Sequence, residues 1–174
     1  MDKQSKFAKT LSLLNWICVA LLVVLNIFNL IAINGVSNEI SANPDRFPDG
    51  FSFEFGLGLA IIVIYMWILH SVVVVFSIPT AIFKNKSSKK GKVVVADVVF
   101  SILTAIATLP VIYIGIVYIS LVFEILTYGI GVSLIPMAIL VVAQVVLAVF
   151  NIIHIIVGKK RQNQQVTQEE TQNA

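Results

Sequence analysis

Asp97 is the residue of this chain best suited to chemistry, because it is the one acidic side chain inside a long apolar segment. An ionisable side chain in such a segment is by default a candidate for a proton or cation site. His70 and His154 lie in two other apolar segments and are its natural partners. A structural role is the alternative that we favour, since a carboxylate in the first turn of a helix is stabilised by the helix dipole and can reach back toward Lys92.

Asp97 also begins the clearest periodic pattern of polar residues in the sequence. Ser101, Thr104 and Thr108 follow it at helical spacing and would share one face of a helix. The other apolar segments carry similar polar strips: Asn15, Asn26 and Asn29 in the first, His70 and Ser77 in the second, and Ser133, Gln144, Asn151 and His154 in the fourth. Because a polar side chain that faces lipid costs free energy, we expect these four polar strips to face one another.

Depth along the helices divides the polar residues into two predicted layers. The inner layer, near the cytoplasmic boundary, consists of Asn15, Thr80, Asp97 and His154. The central layer takes one residue from each helix, namely Asn26, His70, Thr104 and Gln144. A layer of this kind is a candidate lining for a polar path, whereas hydrogen bonding between packed helices is the alternative and the interpretation that we favour.

A strongly basic connection follows the second apolar segment. We expect its lysines to contact lipid headgroups on an anionic inner leaflet, where each contributes about 1 kcal/mol of attraction. These residues are Lys84, Lys86, Lys89, Lys90 and Lys92. Basic residues confined to such links indicate membrane orientation, so we expect no nucleic-acid ligand.

Motifs for enzymatic chemistry are absent from the sequence. It has no HExxH motif, no paired aspartates in the apolar segments, no nucleophile elbow and no glycine-rich phosphate loop. Two distant histidines and one aspartate are too few for a typical metal site. The single cysteine, Cys18, cannot form an internal disulfide. We therefore expect a protein that is not an enzyme and that binds no metal and no other cofactor.

Four long apolar segments must position these residues. They cover about 11–34, 56–83, 93–119 and 133–158, and none of them contains Lys or Arg. Each meets the length of about 20 apolar residues that a helix needs to cross a bilayer. The chain is 58% hydrophobic and only 12% charged, and its apolar runs lack the alternation of a membrane β-barrel. The sequence therefore predicts an all-α, integral membrane four-helix bundle.

The positions of the charges predict the orientation. Cationic residues cluster in residues 1–10, in the 84–92 loop and just after 158, while the 35–55 loop is mainly acidic. Because Lys and Arg are retained on the cytoplasmic side, both termini are predicted to be cytoplasmic and the 35–55 loop to face outward. Residues 159–174 are polar enough to form a disordered cytoplasmic tail. The preference for Lys over Arg and the abundance of Ile favour a bacterial plasma membrane.

Two functions follow as expectations. The first is a non-enzymatic accessory or scaffold subunit that packs with another membrane protein or with copies of itself in the bilayer. The alternative is a small oligomeric transporter or channel that uses Asp97, His70, Thr104 and Gln144 as a polar path. The two differ in whether water reaches the polar strips.

Overall fold

Four long helices form the described part of the protein. The computed structural model describes residues 3–47 and 51–172, apart from the side chains at 51–57, 59–60, 63, 161, 165–166 and 168–172. Helices α1 to α4 cover Lys3–Ala42, Phe51–Lys90, Val95–Thr127 and Ile135–Gln172, and the described residues contain no strand. Each helix includes a segment long and apolar enough to cross a membrane. The predicted all-α bundle of four membrane-spanning helices is confirmed.

The helices are arranged as a ring in which each packs mainly on two neighbours. Helix α1 packs against α2 and α4, and α3 packs against the same two helices from the other side. Ser5 near the start of α1 bonds to Ser88 near the end of α2, and Phe7 packs against His154 of α4. One end of the bundle, here called the basic end, therefore holds the start of α1, the link between α2 and α3, and the later part of α4.

The link at the basic end is shorter than the sequence suggests. Helix α2 continues to Lys90, so most of the predicted 84–92 loop is helical. Gly91 then adopts a left-handed conformation with φ of 65°, which glycine tolerates better than any other residue and which commonly ends a helix. Only residues 91–94 separate α2 from α3. The lysines before Gly91 are thus fixed on a helix, which determines the direction in which each one points.

The remaining boundaries also extend beyond the predicted spans. Helix α3 ends at Thr127, and Glu124 is exposed near this end. Helix α4 continues to Gln172, through the segment whose composition predicts disorder. The Gln and Glu side chains of this segment have good helix propensity. In the predicted 35–55 loop, residues 48–50 and the side chains of 51–55 lie outside the described residues.

Small residues allow close packing of α3 on α4. At Gly115, an added Cβ would lie only 2.6 Å from Cγ1 of Val141. Val141 is itself buried, and its branched side chain has little rotamer freedom in a helix. Association of helices in lipid depends on lipid entropy, on hydrogen bonds and on van der Waals packing of this kind. Gly115 therefore marks a position where the spacing of α3 and α4 is fixed.

We predict that Gly115→Ala destabilises the bundle by about 1–3 kcal/mol, because the added methyl group overpacks against Val141. Gly35→Ala is the matched control, since Gly35 lies in α1 with nothing within 4 Å of an added Cβ. The control should be neutral or slightly stabilising because alanine has the higher helix propensity. Unfolding in mixed detergent would measure both, and equal stability of the two variants would contradict the prediction.

Candidate functional site

A fully buried ion pair lies near the basic end of the bundle. The Lys84 ammonium of α2 is 2.7 Å from the Asp97 carboxylate of α3, and both side chains are 0% exposed. Isolated charges in such a place would lose several kcal/mol of hydration each, in order of magnitude. The two charges compensate each other, so the pair has no net charge.

Neighbouring polar atoms complete the coordination of this pair. Lys84 Nζ lies 3.2 Å from Ser101 Oγ, 3.4 Å from His154 Nδ1 and 3.5 Å from the carbonyl oxygen of Asn151. Ser101 in turn donates to Asp97 Oδ1 over 3.2 Å. Since an ammonium group has three N–H donors, these acceptors satisfy it, and helices α2, α3 and α4 all contribute to the cluster.

Ser87 ties the ion pair to the link between α2 and α3. Its hydroxyl donates to Asp97 Oδ2 over 2.8 Å and accepts the backbone N–H of Val94 over 3.1 Å. Val94 immediately precedes α3, where backbone N–H groups lack partners within the helix. The serine therefore satisfies one such N–H group and orients the carboxylate in the first turn.

The structure corrects the expectation for Lys84. This residue does not contact lipid headgroups, because its side chain points into the bundle and pairs with Asp97. The carboxylate that was expected to reach back toward Lys92 is likewise bound by Lys84. The other lysines proposed for headgroup contact, Lys86, Lys89, Lys90 and Lys92, are all exposed. Charge counting assigns a lysine to a side of the membrane, but it does not specify the direction of the side chain.

Reciprocal hydrogen bonds between asparagines join α1 to α4 next to the ion pair. The Asn15 amide donates to Asn151 Oδ1 over 3.0 Å, and Asn151 donates back to Asn15 Oδ1 over 3.1 Å. Ser12 on the same face of α1 donates to the carbonyl oxygen of Ala81 in α2 over 2.6 Å. These contacts fix how α1 is aligned along both of its neighbours.

Thr104 belongs to the inner layer and not to the central one. Its hydroxyl lies 2.8 Å from the Thr80 hydroxyl, so the two threonines are level with each other on α3 and α2. The prediction that Thr104 joins Asn26, His70 and Gln144 in one layer is therefore wrong. Depths along α2 and α3 do not match the prediction because α2 continues to Lys90, well past the expected end of its span at residue 83, whereas α3 begins close to its expected start.

His70 and Gln144 occupy the centre of the bundle. The His70 ring bonds through Nδ1 to Asn26 Oδ1 over 3.2 Å, so Nδ1 is the donor and Nε2 is left as an acceptor. His70 Nε2 and both polar atoms of Gln144 are buried without a hydrogen-bond partner among the described residues. The Ser12–Ala81 contact shows which residues of α1 and α2 are level, and counting from it along both helices places His70 level with Val23. Counting in the same way from the Asn15–Asn151 contact places Gln144 of α4 level with Leu22 of α1. The two side chains thus lie at the same depth.

A further contact closes the opposite end of the interior. The Tyr118 hydroxyl of α3 donates to Asn29 Oδ1 of α1 and lies 3.2 Å from the carbonyl oxygen of Leu134. Tyr118 is fully buried. Its role could not be read from the sequence, since it lies beyond the polar strip of its own segment.

The inward orientation of the polar strips is confirmed, with one exception. All members are buried apart from Ser133, which is exposed because it precedes the start of α4. Sequence reasoning missed Ser87, Tyr118 and the inward direction of Lys84. Lys84 and Ser87 are spaced with Thr80 on one face of α2, which is the signal that would have found them once the helix was known to continue.

Groups that could hold a metal ion do not occur in the described part of the chain, where no three His, Cys, Asp or Glu side chains come together. The ion-pair cluster supplies one carboxylate and one imidazole, and the Lys84 ammonium occupies the position between them. Such an arrangement joins helices and holds charge, but it leaves no coordination position for a cation.

We predict that Lys84→Met destabilises the protein by about 3–5 kcal/mol, because it leaves Asp97 buried and unpaired. The double variant Lys84→Met with Asp97→Asn should recover at least half of this loss, since it removes both charges. Lys89→Met is the matched control on the exposed side of α2 and should change the free energy of unfolding by less than about 0.5 kcal/mol. A double variant as unstable as the single one would contradict the pairing.

We predict that Asn15 and Asn151 are energetically coupled. A double-mutant cycle with Asn15→Leu and Asn151→Leu should give an interaction energy of about 0.6–1.7 kcal/mol, the range for hydrogen bonds between membrane helices. A cycle that combines Asn15→Leu with Asn29→Leu is the control, because Asn29 bonds to Tyr118 in a different layer. Its interaction energy should be near zero. Equal values for the two cycles would rule out a specific contact.

Comparison with protein families and with curated proteins and solved structures finds no match for this chain. Its function must therefore be argued from the geometry of the bundle. The bundle has the geometry of a small multi-pass membrane protein in which the polar strips face inward and bond across all four helices.

Proposed function

We propose that this protein is a non-enzymatic accessory or scaffold subunit of a membrane, a rigid unit that packs with another membrane protein or with further copies of itself. The observation that supports the proposal is the network of hydrogen bonds across the interior. Polar side chains of α1 to α4 bond mainly to one another, from Ser5 and Ser88 at the basic end to Asn29 and Tyr118 at the other. A network of this kind stabilises one arrangement of the helices.

The outer surface of the bundle, in contrast to its interior, is apolar. Large apolar side chains are exposed on the lipid-facing sides of all four helices, with Leu13, Ile64, Leu109 and Ile139 as examples. A polypeptide with this surface is stable only in hydrocarbon or against another apolar surface. Because lipid and protein compete for such a surface, partner binding would depend on shape and small residues more than on charge.

A transporter or channel is the second candidate, and a specific observation favours it. His70 Nε2 and the Gln144 amide lie at the same depth and are buried with no partner in the part of the chain that the structure describes. Polar groups of this kind are the ones that a transported solute or water would contact. The Lys84–Asp97 pair lies between this layer and the basic end. A conduit would therefore need that pair to open during transport.

Accessibility to a membrane-impermeant thiol reagent separates the two functions. Thr104→Cys and Gln144→Cys would each be made in a Cys18→Ser background, with Ser41→Cys as the exposed control. We expect Ser41→Cys to label and both interior positions to be protected, because packed polar layers exclude water. Labelling of Gln144→Cys from either side would contradict the scaffold proposal and support a water-filled path.

We also propose that the basic end is cytoplasmic, in a bacterial plasma membrane, because lysines are retained on that side. Ser41→Cys should then label from outside intact cells, and Lys89→Cys should label only after the membrane is permeabilised. Both positions are exposed on their helices, so a difference between them reports the side of the membrane. The reverse pattern would invert the orientation.

A further inference from the structure

Two openings follow the line where α1 meets α4, here called the α1–α4 seam. The first is a cleft of about 210 Å³ at the basic end, lined by Lys3, Gln4, Phe7, His154 and Val157. The second is a groove of about 310 Å³ nearer the middle of the bundle. Its lining is entirely apolar apart from the thiol of Cys18 and includes Leu14, Leu21, Ala143, Leu147 and Phe150.

The polar side chains that line the cleft include hydrogen-bond donors. Lys3 contributes a cationic group, and the Gln4 amide nitrogen is buried without a hydrogen-bond acceptor among the described residues. His154 accepts from Lys84 through Nδ1, so its Nε2 is available as a donor. Among the described residues, no acidic side chain lines the cleft. The Lys3 ammonium, the Gln4 amide nitrogen and His154 Nε2 are all donors, and donors favour an oxygen-rich anion.

The cleft and the groove lie on the same two helix faces. One face of α1 carries residues that are two helical turns apart, namely Phe7, Leu14 and Leu21. The facing side of α4 carries residues that are one turn apart, namely His154, Phe150 and Leu147. From Phe7 to Leu21 the helix rises about 21 Å, which matches one leaflet of a bilayer of about 40–45 Å including its headgroups. A single molecule with a polar end and an apolar chain would therefore reach both openings.

We infer that the α1–α4 seam binds an anionic phospholipid, with the phosphate of its headgroup in the cleft of Lys3, Gln4 and His154 and one acyl chain in the groove beside Ala143. Charge complementarity identifies the occupant, because Lys159 and Lys160 on α4 add positive charge at the same end. A free phosphate would use only the cleft, and an apolar helix of a partner would use only the groove. The lipid is the occupant that satisfies both.

Native mass spectrometry of the purified full-length protein tests this inference. Phosphatidylglycerol and phosphatidylcholine with identical acyl chains would be titrated separately, and inorganic phosphate would be added in a third series. We expect phosphatidylglycerol to bind more tightly than phosphatidylcholine and inorganic phosphate not to displace it. The variant with Lys3→Gln and Gln4→Leu should lose about fivefold or more in affinity for phosphatidylglycerol, since one lysine is removed near the headgroup.

Matched variants distinguish the seam from general attraction to anionic lipid. Ala143→Phe fills the groove from an exposed position and should weaken binding, whereas Ala105→Phe fills the groove between α3 and α4 and should not. Lys89→Gln with Lys90→Gln removes charge from the end of α2 and should have little effect. Circular dichroism would establish that each variant keeps its helices.

Four outcomes would overturn the inference. Equal binding of the two lipids, or equal loss in Ala143→Phe and Ala105→Phe, would show that the seam is not selective. Displacement by inorganic phosphate with no effect of Ala143→Phe would assign the cleft to a soluble anion. A change in oligomeric state of Ala143→Phe with unchanged lipid binding would assign the groove to contact between helices.

Discussion

Pairing of Lys84 with Asp97 is the interaction on which the rest of the bundle depends, because neither charge is stable in a low-dielectric interior without the other. The lysine is on α2 and the aspartate on α3, so the pair holds these helices together beside the short link that joins them. Atoms of Asn151 and His154 complete the coordination from α4. One ion pair thereby fixes three of the four helices at the basic end.

Hydrogen bonds extend this alignment along the bundle. Lipid provides little hydrophobic driving force for association of helices, so each polar contact between them also specifies their register. Asn15 with Asn151 and Thr80 with Thr104 do so in the inner layer, and Tyr118 with Asn29 does so toward the other end. The helices then have their polar strips inside, and the apolar faces that remain form the surface exposed to lipid.

The fold could be predicted from sequence because four uninterrupted apolar segments have few alternatives, and the inward polar strips followed from helical periodicity. Lys84 could not be placed, since charge asymmetry reports the side of a membrane but not whether a long side chain turns inward to a carboxylate. Depth was equally hard to predict, because it was counted from the ends of apolar segments. The helices continue past those ends by different amounts, and this displaced Thr104 from its expected layer.

Some buried polar groups have hydrogen-bond partners and others have none, and this difference bears on whether the protein is a scaffold or a conduit. In the ion-pair cluster the ammonium, carboxylate and hydroxyl groups all have partners, whereas His70 Nε2 and the Gln144 amide in the centre have none among the described residues. A path through the interior would have to pass Lys84 and Asp97, and separating them would cost about 3–5 kcal/mol if neither charge found another partner. The unpaired central layer can therefore hold a polar molecule more easily than the bundle can conduct one, and this asymmetry is why the geometry favours the scaffold.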